Sequence, residues 1–439
     1  MSLAVTSFLD RFFKIKESGS SVRTEVLAGL TTFLAMSYIL VVNPTILQDA
    51  GMDFDAVFVA TCISSAFACM MMGLIANYPI ALAPGMGLNA YFTYAVVKGM
   101  GIPWQVALGA VFVSGIIFII LSLFKVREAI VNSLPNSLKY SIGGGIGLFL
   151  ALVGLKSAGI VVSNPATLVS LGDIHSPKVL LAIVGFCLIV ALEHFRVRGG
   201  IIIGILFITA IASVTGLNQF QLQHVFAPVP SLAPTFLQLD FHDLFTMSLV
   251  SVIFVFFFVD LFDSTGVLIG VAGRAGLLVD GKLPRVKKAL LADSTAIVIG
   301  AGLGTSSTTA YVESAAGAAV GGRTGLTAVV VGVLMLASLW FSKLAASVPE
   351  YATAPALMYV GVLMMRSMTE IDWKDVTEAA PAFFTLIFMP FAYSIADGIA
   401  MGFISYALIK LFCGKVKEVS FMVWIIAALW AFKLLWLGA

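Results

Sequence analysis

FVFFFVDLFDSTGVLIG, residues Phe254–Gly270, is long and apolar enough to lie inside a bilayer, yet it carries Asp260 and Asp263 near its middle. Three positions apart, the two carboxylates share one helical face. An ionised aspartate at the bilayer centre costs about 2.5–3.5 kcal/mol on insertion scales. Two of them on one face should therefore line a polar site or be tied to a neighbouring helix.

The rest of the chain supplies the membrane context. Of 439 residues, 60% are hydrophobic and 11% charged, with a mean hydropathy of +1.05. Soluble domains carry about 25% charged residues, so the composition defines a polytopic helical membrane protein. No alternation of apolar and polar residues dominates, which excludes an outer-membrane barrel. Cys62, Cys69, Cys187 and Cys413 sit in or beside apolar runs without metal-ligand spacing, and no metal or cofactor site is expected. Met1–Arg23 lacks the apolar core of a cleavable signal. Its pattern FLDRFFKIKESG suits a short amphipathic helix on the membrane surface, or a plain positive flank.

Apolar runs occur near 25–48, 56–78, 79–97, 104–124, 136–157, 178–194 and 199–216. After a polar loop, 217–241, they resume near 243–272, 286–303, 305–322, 324–343, 351–366, 377–394 and 396–412. A last apolar stretch, Val419–Leu437, suits either a further span or an interfacial helix. With the N-terminus in the cytoplasm, the inside loops would hold Lys125/Arg127, Arg196/Arg198, the group Arg274, Lys282, Arg285, Lys287 and Lys288, then Arg323, Arg366/Lys374 and Lys410/Lys415/Lys417. The outside loops would hold Asp49, Asp53 and Asp55 with a few lone lysines, as the positive-inside rule requires. Seven spans per half make the second half start from the opposite side, the condition for an inverted repeat.

The halves echo each other. The third segment of the first is PIALAPGMGLNAYF (Pro79–Phe92), and that of the second is GTSSTTAYVESAAG (Gly304–Gly317). Both are too polar, or too rich in Gly and Pro, for ordinary spans. Unwound backbone at membrane depth is tolerated only where it lines a cavity or is buried in protein. Paired interruptions at equivalent positions point to a midplane binding site in a carrier.

Glu313 should stand near the start of a half-helix and join Asp260 and Asp263 in a three-carboxylate cluster, as a proton-loading site or as acceptors for N–H donors; a capping role is its alternative. Asn89 in the mirror segment can donate and accept. Asn43, before Pro44, suits either the site or a helix cap. Ser306, Ser307, Thr308 and Thr309 offer hydroxyls, and Gly87 and Leu88 offer backbone amides. Phe262, Tyr91, Phe92 and Tyr311 flank these positions; a flat substrate would want a stacking face, although in a chain with 34 Phe most aromatics serve packing. Asp293 suits a helix start paired with Lys287 and Lys288, with membership of the site as its alternative. Glu193 and His194 read as a solvated cluster beside Arg196. His175, His224 and His242 fall in loops, so no histidine-based catalysis is indicated. SIGGGIGLFLALVG (Ser141–Gly154) suits close helix packing. No Walker A, H-E-x-x-H or G-x-S-x-G sequence is present, so neither an ATP motor nor an enzyme is indicated.

The runs AGLTTFLAMSYILVVNP (Ala28–Pro44), ALAPGMGLNAYF (Ala81–Phe92), DLFDSTGVLIGV (Asp260–Val271) and GTSSTTAYVESAAG with GGRTGLTA (Gly304–Ala328) resemble the AzgA-like purine permeases, a branch of the nucleobase–ascorbate transporter superfamily. The resemblance runs from about Arg11 to the C-terminus. It implies an all-α polytopic fold of two inverted repeats of seven segments, with short strands plus half-helices in segments 3 and 10. Residues 1–24 would be a cytoplasmic flank. Core segments 25–124 and gate segments 136–216 would form the first repeat, 25–216. After the loop 217–241, core segments 243–343 and gate segments 351–412 would form the second, 242–412, followed by a hydrophobic helix, 413–439.

By resemblance, Asp260, with Asp263 close by, and Glu313 would hold a purine base, and these carboxylates would carry the coupling proton. Ser314 stands where the wider superfamily has Asn, so pyrimidine or xanthine specificity is not implied. The family resemblance further implies proton symport of adenine, hypoxanthine or guanine into the cell across the cytoplasmic (inner) membrane, by elevator-like movement in a homodimer. No nucleic acid is expected as a partner. The rival readings are an anion carrier of the related sulfate-permease type, which three acids at the site disfavour, and a channel, for which no continuous polar pore is visible.

Overall fold

The computed structural model describes residues 3–124, 134–218, 226–242, 246–278 and 283–437. Lys125, Arg127, His224 and Lys282, weighed above, lie outside them. The first half comprises α1 (Leu3–Phe13), α2 (Val22–Met36), α3 (Ile39–Gln48), α4 (Phe54–Met71), β1 (Leu82–Pro84), α5 (Met86–Ala90), α6 (Trp104–Leu123), α7 (Asn136–Ser157), β2 (Val161–Asn164), β3 (Leu168–Leu171), α8 (Pro177–His194) and α9 (Gly200–Val214). The second comprises α10 (Met247–Arg274), α11 (Val286–Leu303), β4 (Thr308–Ala310), α12 (Ser314–Val320), α13 (Gly325–Ala337), α14 (Ser342–Ala346), α15 (Glu350–Met365), α16 (Val376–Phe391) and α17 (Ile395–Phe412), with α18 (Phe421–Phe432) beyond it. Among the described residues, eight helical stretches are long and apolar enough to cross a membrane. The expected fourteen segments each find a counterpart, the third of each half as a strand followed by a short helix.

Those two interrupted segments meet. β1 pairs antiparallel with β4 in the register Leu82–Ala310, Ala83–Thr309 and Pro84–Thr308. Antiparallel pairing is what a two-fold relation between oppositely inserted halves produces. It also satisfies backbone groups that hydrocarbon could not. Gly304, at φ 95°, ends α11 and turns the chain into the strand, a conformation that favours glycine. The half-helix after β1 continues beyond α5 as wide turns from Tyr91 to Gly99.

Packing divides the helices into two groups. In one, α2 and α4 pack on α13, and α6 packs on α11; in the other, α7, α15, α16 and α17 pack together, as do α8 and α9. Glu25, fully buried, bridges segments 1 and 11: it accepts from the Arg323 and Thr324 amides at 2.9 and 3.2 Å and from the Thr327 hydroxyl at 2.6 Å. Its charge lies at the positive end of α13, where the helix dipole favours an anion. The glycines of Ser141–Gly154 do pack closely. Gly147 on α7 faces Gly361 on α15, and a Cβ on Gly361 would come within 2.6 Å of the Gly147 carbonyl oxygen.

Two features differ from the sequence reading, and a third fills in what it left open. The first span is not continuous: α2 ends at Met36 and α3 begins at Ile39. The connection after α7 forms a hairpin, β2–β3, whose turn is held by the Asn164 side chain accepting from the Ala166 amide at 2.8 Å. The final stretch, 419–437, contains the helix expected there, α18, which packs on α17 and sets Trp430 against Phe254 with ring centroids 5.7 Å apart. Its approach is fixed by Lys410, 1% exposed, which pairs with Glu378 and Glu418 at 2.7 Å each. Outside the spans, Lys415 and Thr377 surround Asp375 and hold its carboxyl well below the usual carboxylate range. The N-terminal helix α1 exposes Phe8 and Phe12, while Phe13 and the following Ile15 bury against Leu326, Val329 and Val330.

Overpacking a close contact typically costs about 1–3 kcal/mol. Gly361→Val should lower the thermal unfolding midpoint of the detergent-solubilised protein by that equivalent, whereas Gly51→Val, at a position with open space, should lower it only through its positive φ.

Candidate functional site

The site is built where α10 runs past β4. A helix repeats a face every four residues, about 6 Å along its axis; a strand repeats every two, about 6.6 Å. Asp260 and Ser264 are therefore spaced to meet Ser307 and Thr309. The Ser307 hydroxyl lies 2.8 and 2.7 Å from the two Asp260 oxygens, and Ser264 and Thr309 share a 2.6 Å hydrogen bond. All four are buried. Asp263 is half-buried beside them, within electrostatic range of Asp293 and Glu313. The three expected carboxylates are thus brought into one region by two elements, with Asp293 of α11 as a fourth acid nearby. Asp293 is fully buried within α11 rather than at its start.

Glu313 occupies the N-cap position of α12 but makes no capping bond to the helix amides. It accepts a 2.6 Å hydrogen bond from the Tyr38 hydroxyl. Tyr311, two residues earlier, donates to the Pro84 carbonyl at 2.5 Å and so joins the two interrupted segments. Ser314 accepts from the Ala81 amide at 2.9 Å. The departure from the superfamily's Asn thus lies at a buried position that splices segment 3 to segment 10.

Asn89 is fully buried with both ends of its amide engaged. Its nitrogen donates to Asn43 Oδ1 at 2.6 Å, and its oxygen accepts from the Ser306 hydroxyl. Asn43 in turn donates to Thr61 at 2.7 Å and to Thr305 at 3.0 Å. It neither caps α3 nor ends it; it lies inside the helix one residue before Pro44. This network pins both interrupted segments to segments 1 and 2. The Gly85 amide is also spoken for, by the Ser307 carbonyl at 2.8 Å. Gly87 and Leu88 lie in the first turn of α5, where helix geometry leaves amides without intrahelical partners. Gly87 abuts Ile146 of α7, and Leu88 is buried.

Two expected residues point elsewhere. Strand alternation turns Thr308 to the face opposite Ser307 and Thr309, toward Gly300 of α11. Phe262 stands two positions from Asp260, a rotation of about 200°. It extends a row along α10, 5.6 Å from Phe258, which itself packs 6.0 Å from Phe403 of α17. Tyr91 and Phe92 both pack on Phe256. Tyr38 and Ser264 were missed. Ser264, four residues after Asp260, was visible in the helical period; Tyr38 carried no signal. An open cleft of about 430 Å³, lined by Asp49, Tyr94, Lys98, Lys156, Glu350 and Tyr393 among others, includes none of Asp260, Asp263 and Glu313.

Two inverted seven-segment halves, crossing through short strands beside buried acids, define a membrane-transporter fold. The same fold occurs in the transmembrane domain of a cyanobacterial bicarbonate transporter, BicA, with a TM-score of 0.60 at 16% identity, over 93% of this chain and 97% of that one. The adenine permease AdeP of Escherichia coli is 48% identical over 98% of this chain and 97% of its own length. The guanine/hypoxanthine permease PbuG of Bacillus subtilis is 49% identical over 93% and 95%. The permease family matches residues 23–401. The chain belongs to that family, within the nucleobase–ascorbate transporter superfamily and the AzgA-like branch its motifs resemble.

Leaving buried polar groups unpaired costs about 1–3 kcal/mol each. Asn43→Ala would strand the amide of Asn89, so it should lower the thermal midpoint of the purified protein by at least one such increment. An unchanged midpoint would mean that the network does not brace the crossing.

Proposed function

We propose that this protein is a secondary active transporter that imports a purine base, adenine, hypoxanthine or guanine, by proton symport across the cytoplasmic membrane. The observation that carries the reading is the convergence of Asp260, Asp263 and Glu313 on the crossing of two interrupted segments. The match to adenine and guanine/hypoxanthine permeases over nearly the whole chain supports the substrate class.

The chemistry follows from the donor set. A purine presents ring N–H and exocyclic amine donors, and carboxylates accept from both. Glu313 and Asp260 accept from the base, with Ser307 steering Asp260 and Thr309 bonded to Ser264 beside it. The first-turn amides at Gly87 and Leu88 meet the acceptor nitrogens of the ring. One of Asp260, Asp263 and Glu313 holds the coupling proton: like charges gathered in a water-poor site cannot all stay ionised. Loading a proton and a base neutralises the site, which lowers the cost of moving it past an apolar surface.

In this reading residues 25–124 and 243–343 form a moving core. Residues 136–216 and 351–412 form the gate, against which the core slides like an elevator, and Gly87 against Ile146 marks the seam. The N-terminus is cytoplasmic and the working unit a homodimer. Asn89, Thr308 and Phe262 support the site rather than contact the base. An anion carrier on the same fold would need positive charge where this chain has acids.

Uptake of radiolabelled adenine, hypoxanthine, guanine and uracil into cells lacking their own purine carriers tests the reading. The expected result is saturable uptake of a purine, abolished by a protonophore, and reduced at least 100-fold by Glu313→Gln, about the loss of a charge-assisted hydrogen bond. Uptake indifferent to the protonophore would remove the proton role. No uptake of any base by correctly folded protein would overturn the substrate class.

A further inference from the structure

Tyr38 stands at a turn that neither Gly nor Pro forces. α2 ends at Met36, and the chain tightens through Ser37, where the Leu40 and Val41 amides reach back three residues to Ser37 and Tyr38 at 3.1 Å each. The Ser37 hydroxyl bonds the Leu34 carbonyl at 3.1 Å. The result is a ring 1% exposed whose hydroxyl lies 2.6 Å from Glu313 Oε1, across 275 residues of sequence.

Several acidic and phenolic groups lie within electrostatic range of Glu313. They are Asp263 on α10, Tyr311 in its own segment, Tyr359 on α15 and Glu193 on α8; Arg366 is within range of Glu193 and Tyr359. Among the described residues, Tyr38 is the side chain that donates to Glu313 at hydrogen-bond distance. A carboxylate has two oxygens, and a phenol bound to one leaves the other for a ligand.

We infer that Tyr38 is a positioning residue for recognition of the base: its hydroxyl clamps Glu313 Oε1 and turns Oε2 toward the ligand. The inference rests on the purine-carrier reading and adds segment 1 to the recognition machinery. The clamp serves both protonation states of Glu313. As a carboxylate, Glu313 accepts from Tyr38 through Oε1 and from a base N–H through Oε2. After taking one proton from water on Oε2, it still accepts from Tyr38 and now donates to a ring nitrogen. No bond to carbon forms or breaks; one proton enters with the base and leaves with it.

The test is adenine binding to the purified full-length protein by calorimetry, for wild type, Tyr38→Phe, Glu313→Gln and the double variant. Tyr38→Phe keeps the ring and its packing. It should weaken adenine about tenfold or more, as a hydrogen bond to a charged group requires, with the folded state still populated at the assay temperature. In the Glu313→Gln background the same change should cost nothing further, because its target charge is gone. Equal affinity of wild type and Tyr38→Phe, or independent and additive losses, would overturn the inference.

If Tyr38→Phe misfolds, 3-fluorotyrosine at position 38 makes the phenol more acidic without altering its shape. The infrared carboxyl band that Glu313→Gln removes should then shift, and a band that stays in place overturns the inference. This arm needs no ligand. Failure of wild type to bind any purine therefore counts against the carrier reading, while a stationary band counts against the clamp itself.

Discussion

Three residues of strand from each half, joined antiparallel at the crossing of segments 3 and 10, are the constraint on which the rest depends. Unpaired backbone groups in hydrocarbon cost several kcal/mol each. Neither interrupted segment is stable at that depth alone, and each supplies what the other lacks. Tyr311 adds a side-chain bond to Pro84, and Ser314 adds one to the Ala81 amide. Once the crossing exists, Glu313 follows shortly after β4 and Ser307 sits just before it, and Asp260 on the neighbouring helix has a partner fixed by spacing.

The polar residues around the crossing divide by strand alternation. One face looks toward α10 and holds Ser307 and Thr309 against Asp260 and Ser264. Ser306, before the strand, reaches instead into the amide network of Asn89 and Asn43. The first set leaves carboxylate oxygens with lone pairs to offer. The second is closed on itself, since Asn89 and Asn43 both donate and accept within it. A ligand therefore finds acceptors on one side and a brace on the other, and the proposed division of labour between Asp260 and Asn89 follows from this asymmetry.

Much of this was legible in the sequence. Asp260 and Asp263 in an apolar run, and two segments too polar to be spans, announced where backbone and charge would be gathered, because the cost of placing either in lipid is so high. The fourteen-segment count came from hydropathy and charge bias. What stayed hidden depended on direction and on tertiary contact. Period-two alternation hides Thr308 until the strand's bounds are known, and the 100° helical step turns Phe262 away from Asp260. Tyr38 lies within a run that reads as one continuous span, with no residue to mark the turn. The β2–β3 hairpin, four residues a side, was too short to stand out from a loop.

The most direct test of the central claim is an experimental structure of the protein with adenine bound. The expected result places the base beside the β1–β4 crossing, with its N–H groups within 3.2 Å of Asp260 or Glu313 oxygens, near the upper limit for such hydrogen bonds at about 3.2 Å. Adenine held elsewhere, as in the cleft between Tyr94 and Tyr393, with the carboxylates untouched, would contradict it.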